Sequence, residues 1–188
     1  MHKMKFLKFS LIIFISFTSS IKADLNKDLM NQLLDGNNLI FIRHAYAPGS
    51  GDPNNFNLND CSTQRNLSEE GRKQAQKIGE FFKKNEFKIE KVFSSEWCRC
   101  KETAEIAFED YSTKNFLNSF YSSKYSKNKI NQIKELNDYV SQLKGSKNIV
   151  FVTHYVLISE VLDYAPSSGE IVVSDKNFNI IGSVKINY

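Results

Sequence analysis

The chain has 188 residues, with 25 Lys or Arg against 21 Asp or Glu, three cysteines and three histidines. Four of the lysines and none of the acids fall within the first 23 residues, so the remainder is balanced, and a nucleic-acid-binding role loses its electrostatic support. The remaining stretch of about 165 residues is long enough for one domain with a sizeable core, and no repeat, linker or low-complexity tract divides it.

Residues 1–23 carry Lys3, Lys5 and Lys8, then the apolar run 9–17, then small polar residues ending at Ala23. This order of charged, apolar and cleavable regions is a secretory signal layout, and the run is too short to span a bilayer comfortably. Cleavage after Ala23 is expected, leaving a domain over 24–188 with no stable membrane span. The competing reading is an uncleaved amphipathic anchor.

Residues 25–35 read as a short helix closed by Gly36, and a strand follows, ending at Arg43 and His44. Residues 45–66, with Pro48, Gly49, Gly51, Pro53 and many asparagines, form a long loop, and loops of that length inside a domain are usually functional. Ser68 caps a helix with Glu69 and Glu70 in its first turn and apolar residues at Ala75, Ile78, Phe81 and Phe82. A strand over about 90–94 leads to a helix expected to open at Ser95 and run to about 108. A weakly patterned stretch, 109–126, joins it to a helix at about 127–143. Then come a buried strand at 148–153, a helix from Val156 to Leu162, and a terminal hairpin built from 171–173 and 180–186. Alternating strands and helices predict a three-layer α/β fold, a mostly parallel sheet covered on both faces with an antiparallel terminal hairpin.

The chemistry-bearing residues are scarce. Beyond the leader, only His44 and His154 are histidines, and each closes an apolar strand, where open α/β sheets gather ligand-binding groups. Of the 25 basic residues only Arg43, Arg65, Arg72 and Arg99 are arginines, and the planar guanidinium grips tetrahedral oxyanions in a way that lysine cannot. Scarce arginines beside scarce histidines suggest a phosphate pocket. Arg72, on the helix after Gly71, reads instead as a surface ion-pair partner.

Four blocks carry a resemblance. Arg43-His44-Ala45, the run Asn66 to Ala75, the run Ser94 to Ala104 and Val152-Thr153-His154 stand in the order and spacing of the signatures of the histidine phosphatase superfamily, whose fold is called phosphoglycerate mutase-like. The resemblance runs from about residue 38 to the C-terminus. It implies a metal-independent phosphomonoesterase with no cofactor, in which His44 takes the phosphoryl group as a phosphohistidine. Arg43, Arg99 and His154 would surround the phosphoryl oxygens, and these cations should keep His44 unprotonated near neutral pH. Arg65, in the loop beside the pocket, is a candidate substrate contact.

The leaving-group acid of the pattern is not evident, because Tyr155 follows His154 and the stretch 109–126 offers only Glu109 and Asp110. Glu170 is the first candidate, with Glu109, Asp110, Asp52 and Asp60 behind it. The leader points to a secreted, periplasmic enzyme acting on a phosphorylated small molecule or sugar, with lipopolysaccharide core heptose phosphate as one substrate class. The alternatives are a non-catalytic phosphate-binding domain and a phosphohistidine protein phosphatase. Among Cys61, Cys98 and Cys100, a disulfide from Cys61 to Cys98 or Cys100 would tie the long loop to the helix bearing Arg99; as zinc ligands, three cysteines so spaced with no nearby histidine make a poor set.

Overall fold

The computed structural model describes residues 18–187, and side chains from residue 27 onward. The expected leader therefore lies outside the described residues over 1–17, and only the backbone of its last six residues is seen. The elements in chain order are α1 (Thr18–Asp35), β1 (Leu39–Arg43), a 3-10 turn (Cys61–Thr63), α2 (Glu69–Lys84), β2 (Ile89–Ser94), α3 (Cys98–Phe108), β3 (Ser112–Thr113), a second 3-10 turn (Asn115–Leu117), α4 (Ser123–Ser126), α5 (Lys129–Ser141), β4 (Asn148–Thr153), α6 (Tyr155–Leu162), β5 (Ile171–Ser174) and β6 (Ile180–Val184).

One six-stranded sheet has the order β3-β2-β4-β1-β5-β6. β3, β2, β4 and β1 run parallel, while β5 lies antiparallel to β1 and pairs with β6 as the expected hairpin. Alternate residues of the central strands serve opposite cores, the sheet signature of period two. Ile40, Ile42, Val150 and Val152 meet Leu29, Leu33, Ile78, Phe82 and Ala104 from α1, α2 and α3. Leu39, Phe41, Ile149 and Phe151 meet Leu136, Val140, Leu157 and Ile158 from α5 and α6. The sheet is thus buried on both faces, which is why its two central strands are continuous apolar runs.

Two helix starts differ from expectation by three residues or more. α1 begins at Thr18 rather than 25, since no glycine or proline interrupts residues 18–35. α3 begins at Cys98, not Ser95, because the Ser95 hydroxyl is engaged elsewhere and extended Trp97 takes the capping position. The Ser68 cap holds: its hydroxyl accepts the Gly71 N–H at 3.2 Å. Gly71 itself is required there, because a Cβ would come within 2.0 Å of the Tyr46 carbonyl oxygen. Gln74, one turn on, accepts the Tyr46 N–H at 2.9 Å and donates to the Ser168 carbonyl at 2.8 Å, fastening the loop after β1 to the turn before β5.

Candidate active site

The register aligns the carboxyl ends of β1 and β4, with Arg43 opposite Thr153. The His44 N–H donates to the Thr153 carbonyl at 2.9 Å, and the two imidazoles arrive side by side with ring centroids 5.6 Å apart. Both are buried, and they form the floor of a cavity of about 470 Å³ lined also by Arg43, Asp52, Arg65 and Arg99.

Hydrogen bonds decide the tautomer of His44. Its Nδ1 lies 2.8 Å from the Ala45 carbonyl, which can only accept, so Nδ1 carries the proton. Nε2 is left as a lone pair and accepts from Arg99 Nε at 3.2 Å. Burial, and next the positive charge of Arg99, hold the imidazole well below its ordinary pKa, so it stays neutral.

His154 is oriented by a relay. Asn118 Oδ1 accepts the Glu96 N–H at 2.9 Å, which fixes the amide, and the Ser95 hydroxyl donates to that same oxygen at 3.0 Å. Ser95 Oγ must then accept from His154 Nε2, 2.8 Å away, and Nδ1 faces Arg99 Nη2 at 3.5 Å. Burial, then Arg99, lowers the pKa of this ring as well. The Cys100 thiol packs against it with Sγ 3.5 Å from Nε2, and burial pushes that thiol up to about 12.

Arg99 is buried at the first turn of α3 and held on three sides: by His44, by His154 and by Asp52. Its Nη1 and Nη2 grip the two Asp52 oxygens at 2.7 and 3.3 Å. Asp52 also accepts from Trp97 Nε1 at 3.0 Å and from the Arg65 N–H at 3.1 Å. Burial raises its pKa, but the Arg99 contact outweighs that, and the carboxyl is held below its ordinary value. Arg43 donates from Nη1 to the Pro166 carbonyl at 2.9 Å and lies 5.5 Å from the centroid of the Tyr155 ring, while its Nε is a buried donor that no protein group satisfies. Arg65 lines the cavity, yet its Nε donates to Gly51 at 2.8 Å and its Nη1 to Ala47, so it also braces the loop. Arg72 pairs with Glu102 at 2.6 Å on the surface, as expected.

Cys61 and Cys98 form a disulfide, and Cys100 is the free, buried thiol. The bridge joins the loop carrying Asp52 to the residue preceding Arg99.

Glu170 is the correction. It does not line the cavity and is 1 % exposed. Its Oε1 accepts from the Tyr164 hydroxyl at 2.6 Å and from Ser183 Oγ at 2.8 Å, and Oε2 accepts from the Ser167 N–H at 2.8 Å. Burial raises its pKa, but those donors outweigh it and keep it ionised. A carboxylate so satisfied ties the turn before β5 and is not placed to protonate a leaving group. Glu109, Asp110 and Asp60 also lie off the cavity wall.

Three features escaped the sequence reading. The Ser95–Asn118 relay gave no pattern signal. The Asp52–Arg99 pair spans 47 positions, which no periodicity reveals. The outer wall is aromatic: Phe56 stacks on Trp97 at 5.2 Å between centroids, Tyr125 stands edge-on to both, and Tyr121 is 67 % exposed at the rim.

Residues 39–117, which hold three of the four motif blocks, match the family model for the histidine phosphatase superfamily, branch 1. Over that stretch the chain is similar to the histidine phosphatase superfamily. Solved structures carry the same fold. Protein TTHB049 of Thermus thermophilus is 16 % identical, with 80 % of this chain and 99 % of that chain covered at a TM-score of 0.57. The Rv3214 protein of Mycobacterium tuberculosis is 14 % identical, with 80 % and 97 % covered at 0.56. A phosphoglycerate mutase of Thermus thermophilus is 16 % identical, with 80 % and 99 % covered at 0.52. No curated protein sequence matches this chain. By family this is a histidine-type phosphatase with the phosphoglycerate mutase-like fold. Among the described residues no group of three or more His, Cys, Asp or Glu is arranged to hold a metal ion, and no helix is long and apolar enough to cross a membrane.

Proposed function

We propose that this protein is an exported, metal-independent phosphomonoesterase that works through a phosphohistidine on His44. The observation that carries the reading is the fixed tautomer of His44: Nδ1–H is spent on Ala45, and the Nε2 lone pair points to Arg99 inside a cationic cavity. In-line attack by Nε2 on phosphorus would transfer the phosphoryl group to the ring, and water would then release it. Arg43, with its unsatisfied Nε, and Arg99 supply donors for the phosphoryl oxygens, where transition-state charge spreads, and His154, whose one N–H is spent on Ser95, borders the same oxygens and faces Arg99 through Nδ1. Arg65 is the neighbour to the substrate's remaining oxygens. Guanidinium groups provide the charge that a metal would otherwise supply, so activity is expected to survive excess chelator.

The cavity volume and the aromatic outer wall suit a phosphorylated small molecule or sugar more than a flat protein surface. Lipopolysaccharide core heptose phosphate belongs in the substrate panel on the strength of export alone. Export to the periplasm rests on the leader layout and on the disulfide, a bond that oxidising compartments maintain.

The test is brief incubation of purified protein with a phosphate-labelled aryl ester, followed by acid or base quench. An acid-labile, base-stable phosphoryl group on the wild type, lost in His44→Ala, is expected. Turnover by His44→Ala near the wild-type rate, or full loss with chelator restored by a divalent ion, would overturn the mechanism.

A further inference from the structure

With Glu170 tied into its turn, the proton for the leaving oxygen has no source. Among the described residues that line the cavity, Asp52 is the only carboxylate. It stands one guanidinium away from the nucleophile, since Arg99 bonds His44 Nε2 through Nε and Asp52 through Nη1 and Nη2. We propose that Asp52 is the general acid for the leaving oxygen and the general base for the hydrolytic water. This deepens the phosphohistidine reading above and rests on it.

The geometry makes Arg99 the device that loads Asp52. A phosphoryl group seated on His44 Nε2 calls on the same Arg99 N–H groups that Asp52 holds. A dianion then stands beside a partly desolvated carboxylate whose main partner has been taken, and like charge in such a site favours the protonated carboxyl. Asp52 is therefore a carboxylate in the free site and, on taking one proton from solvent as substrate binds, a carboxylic acid in the complex. The other charged groups that line the cavity with it are Arg65 of its own loop, Arg43 at the end of β1 and Lys124 of α4; neutral His44 and His154 complete the titratable set at the strand ends, and Trp97, the cap of α3, adds a neutral donor.

The steps balance. As His44 Nε2 bonds phosphorus, the P–O bond to the alcohol breaks, and the Asp52 proton goes to the departing oxygen. Asp52 carboxylate next takes a proton from the water that attacks phosphorus. The P–N bond breaks with its electron pair returning to Nε2, and hydrogen phosphate leaves with Asp52 protonated again.

The experiment measures Asp52→Asn and wild type on an alkyl phosphate and on p-nitrophenyl phosphate, whose leaving group needs no acid. The variant is expected to lose about 100-fold or more in kcat/KM on the alkyl ester, the scale of general-acid catalysis, and far less in kcat/KM on the aryl ester, because kcat/KM reports transfer to His44 and not the later hydrolysis, in which the loss of the base slows both esters alike. The wild type should show an alkaline fall in kcat with the alkyl ester alone, and Asp52→Glu, which keeps a carboxyl, should recover part of the alkyl rate. Equal losses on both esters would reduce Asp52 to a positioning partner of Arg99 and overturn the proposal. Full alkyl activity in the variant would also overturn it. Should the asparagine variant not fold, the wild-type profile decides: an alkaline limb common to both esters refutes Asp52 as the acid. A wild type that turns over neither ester overturns the phosphatase reading itself, which separates the two failures.

Discussion

The cavity is built from two halves held by different forces. The strand half, His44 and Arg43 after β1 and His154 after β4, is anchored by sheet hydrogen bonds and by an apolar core on both faces. The loop half, Asp52 and Arg65 within 45–66, adds to the apolar anchors Ala45, Ala47, Phe56 and Leu58 a set of polar contacts and one covalent bridge, and it is these that seat its charged groups. Arg99 stands between them and bonds to both. The contrast matches the chemistry: a nucleophile and its oxyanion donors gain from rigid placement, whereas a group that must exchange partners when substrate arrives gains from a looser seat.

The largest effect should come from the residue that joins the halves. Arg99→Lys keeps the charge but cannot bond His44, His154 and both Asp52 oxygens at once, so kcat/KM is expected to fall by roughly 100- to 1,000-fold, the scale of losing one preorganised donor. Steady-state kinetics on an aryl phosphate measures this, and a loss under tenfold would mean that the halves need no common clamp.

Breaking the bridge probes the loop half alone. The disulfide closes a separation of 37 residues, and its removal in a Cys61→Ser/Cys98→Ser double variant should cost about 4 kcal/mol of stability in the chain-entropy model. Denaturant melts give that figure, while the rate below the melting range should drop far less than for Arg99→Lys. Thiol titration of the unreduced protein should find one free group, and three would refute the bridge.

Glu170→Gln sharpens the comparison of carboxylates. Asp52 and Glu170 each accept several hydrogen bonds, but the donors to Asp52 include an arginine that substrate needs, whereas Glu170 takes its bonds from the hydroxyls and backbone of its own turn and hairpin. The change is expected to cost about 1–3 kcal/mol of stability, the usual penalty for disturbing a buried polar group. Alkyl and aryl rates should move together. A selective alkyl loss would return the acid role to Glu170.

The most gradual effect concerns pH. Two buried histidines with depressed pKa values stay neutral in the fold while their unfolded counterparts take up protons below about pH 6.5. The unfolded state then binds more protons, so stability is full above that pH and declines below it, by up to about 1.4 kcal/mol per pH unit for each histidine. The decline stops at the folded-state values. Melts at pH 7.5, 6 and 5 test this, and a flat profile would mean that the strand half admits protonated imidazole.

The strand half was legible in the sequence and the loop half largely was not. Runs such as Asn148–Thr153 announce buried strands, and a histidine closing each run places itself at the sheet edge. The Ser68 cap and the outer pairing of Arg72 were readable because their signals are local. Glu170 is tied into its turn and Asp52 lines the cavity because hydrogen-bond partners that no pattern reveals set a carboxylate's environment: Arg99 and Trp97, 45 or more positions away, for Asp52, and Tyr164 and Ser183 of its own turn and hairpin for Glu170. Ser95 looked like a helix cap by type, but its hydroxyl serves His154 instead.

The protonated state of Cys100 has a consequence for the covalent history of the chain. A free thiol two positions from a disulfide would ordinarily be placed to attack it and shuffle the pairing, but attack needs the thiolate. Burial holds Cys100 as the thiol, with a pKa of about 12. Once folded, the molecule is therefore locked as the Cys61–Cys98 isomer, and scrambling must wait for unfolding. Native packing thus withholds the chain's own remaining thiol, the internal nucleophile that could otherwise exchange with the bond.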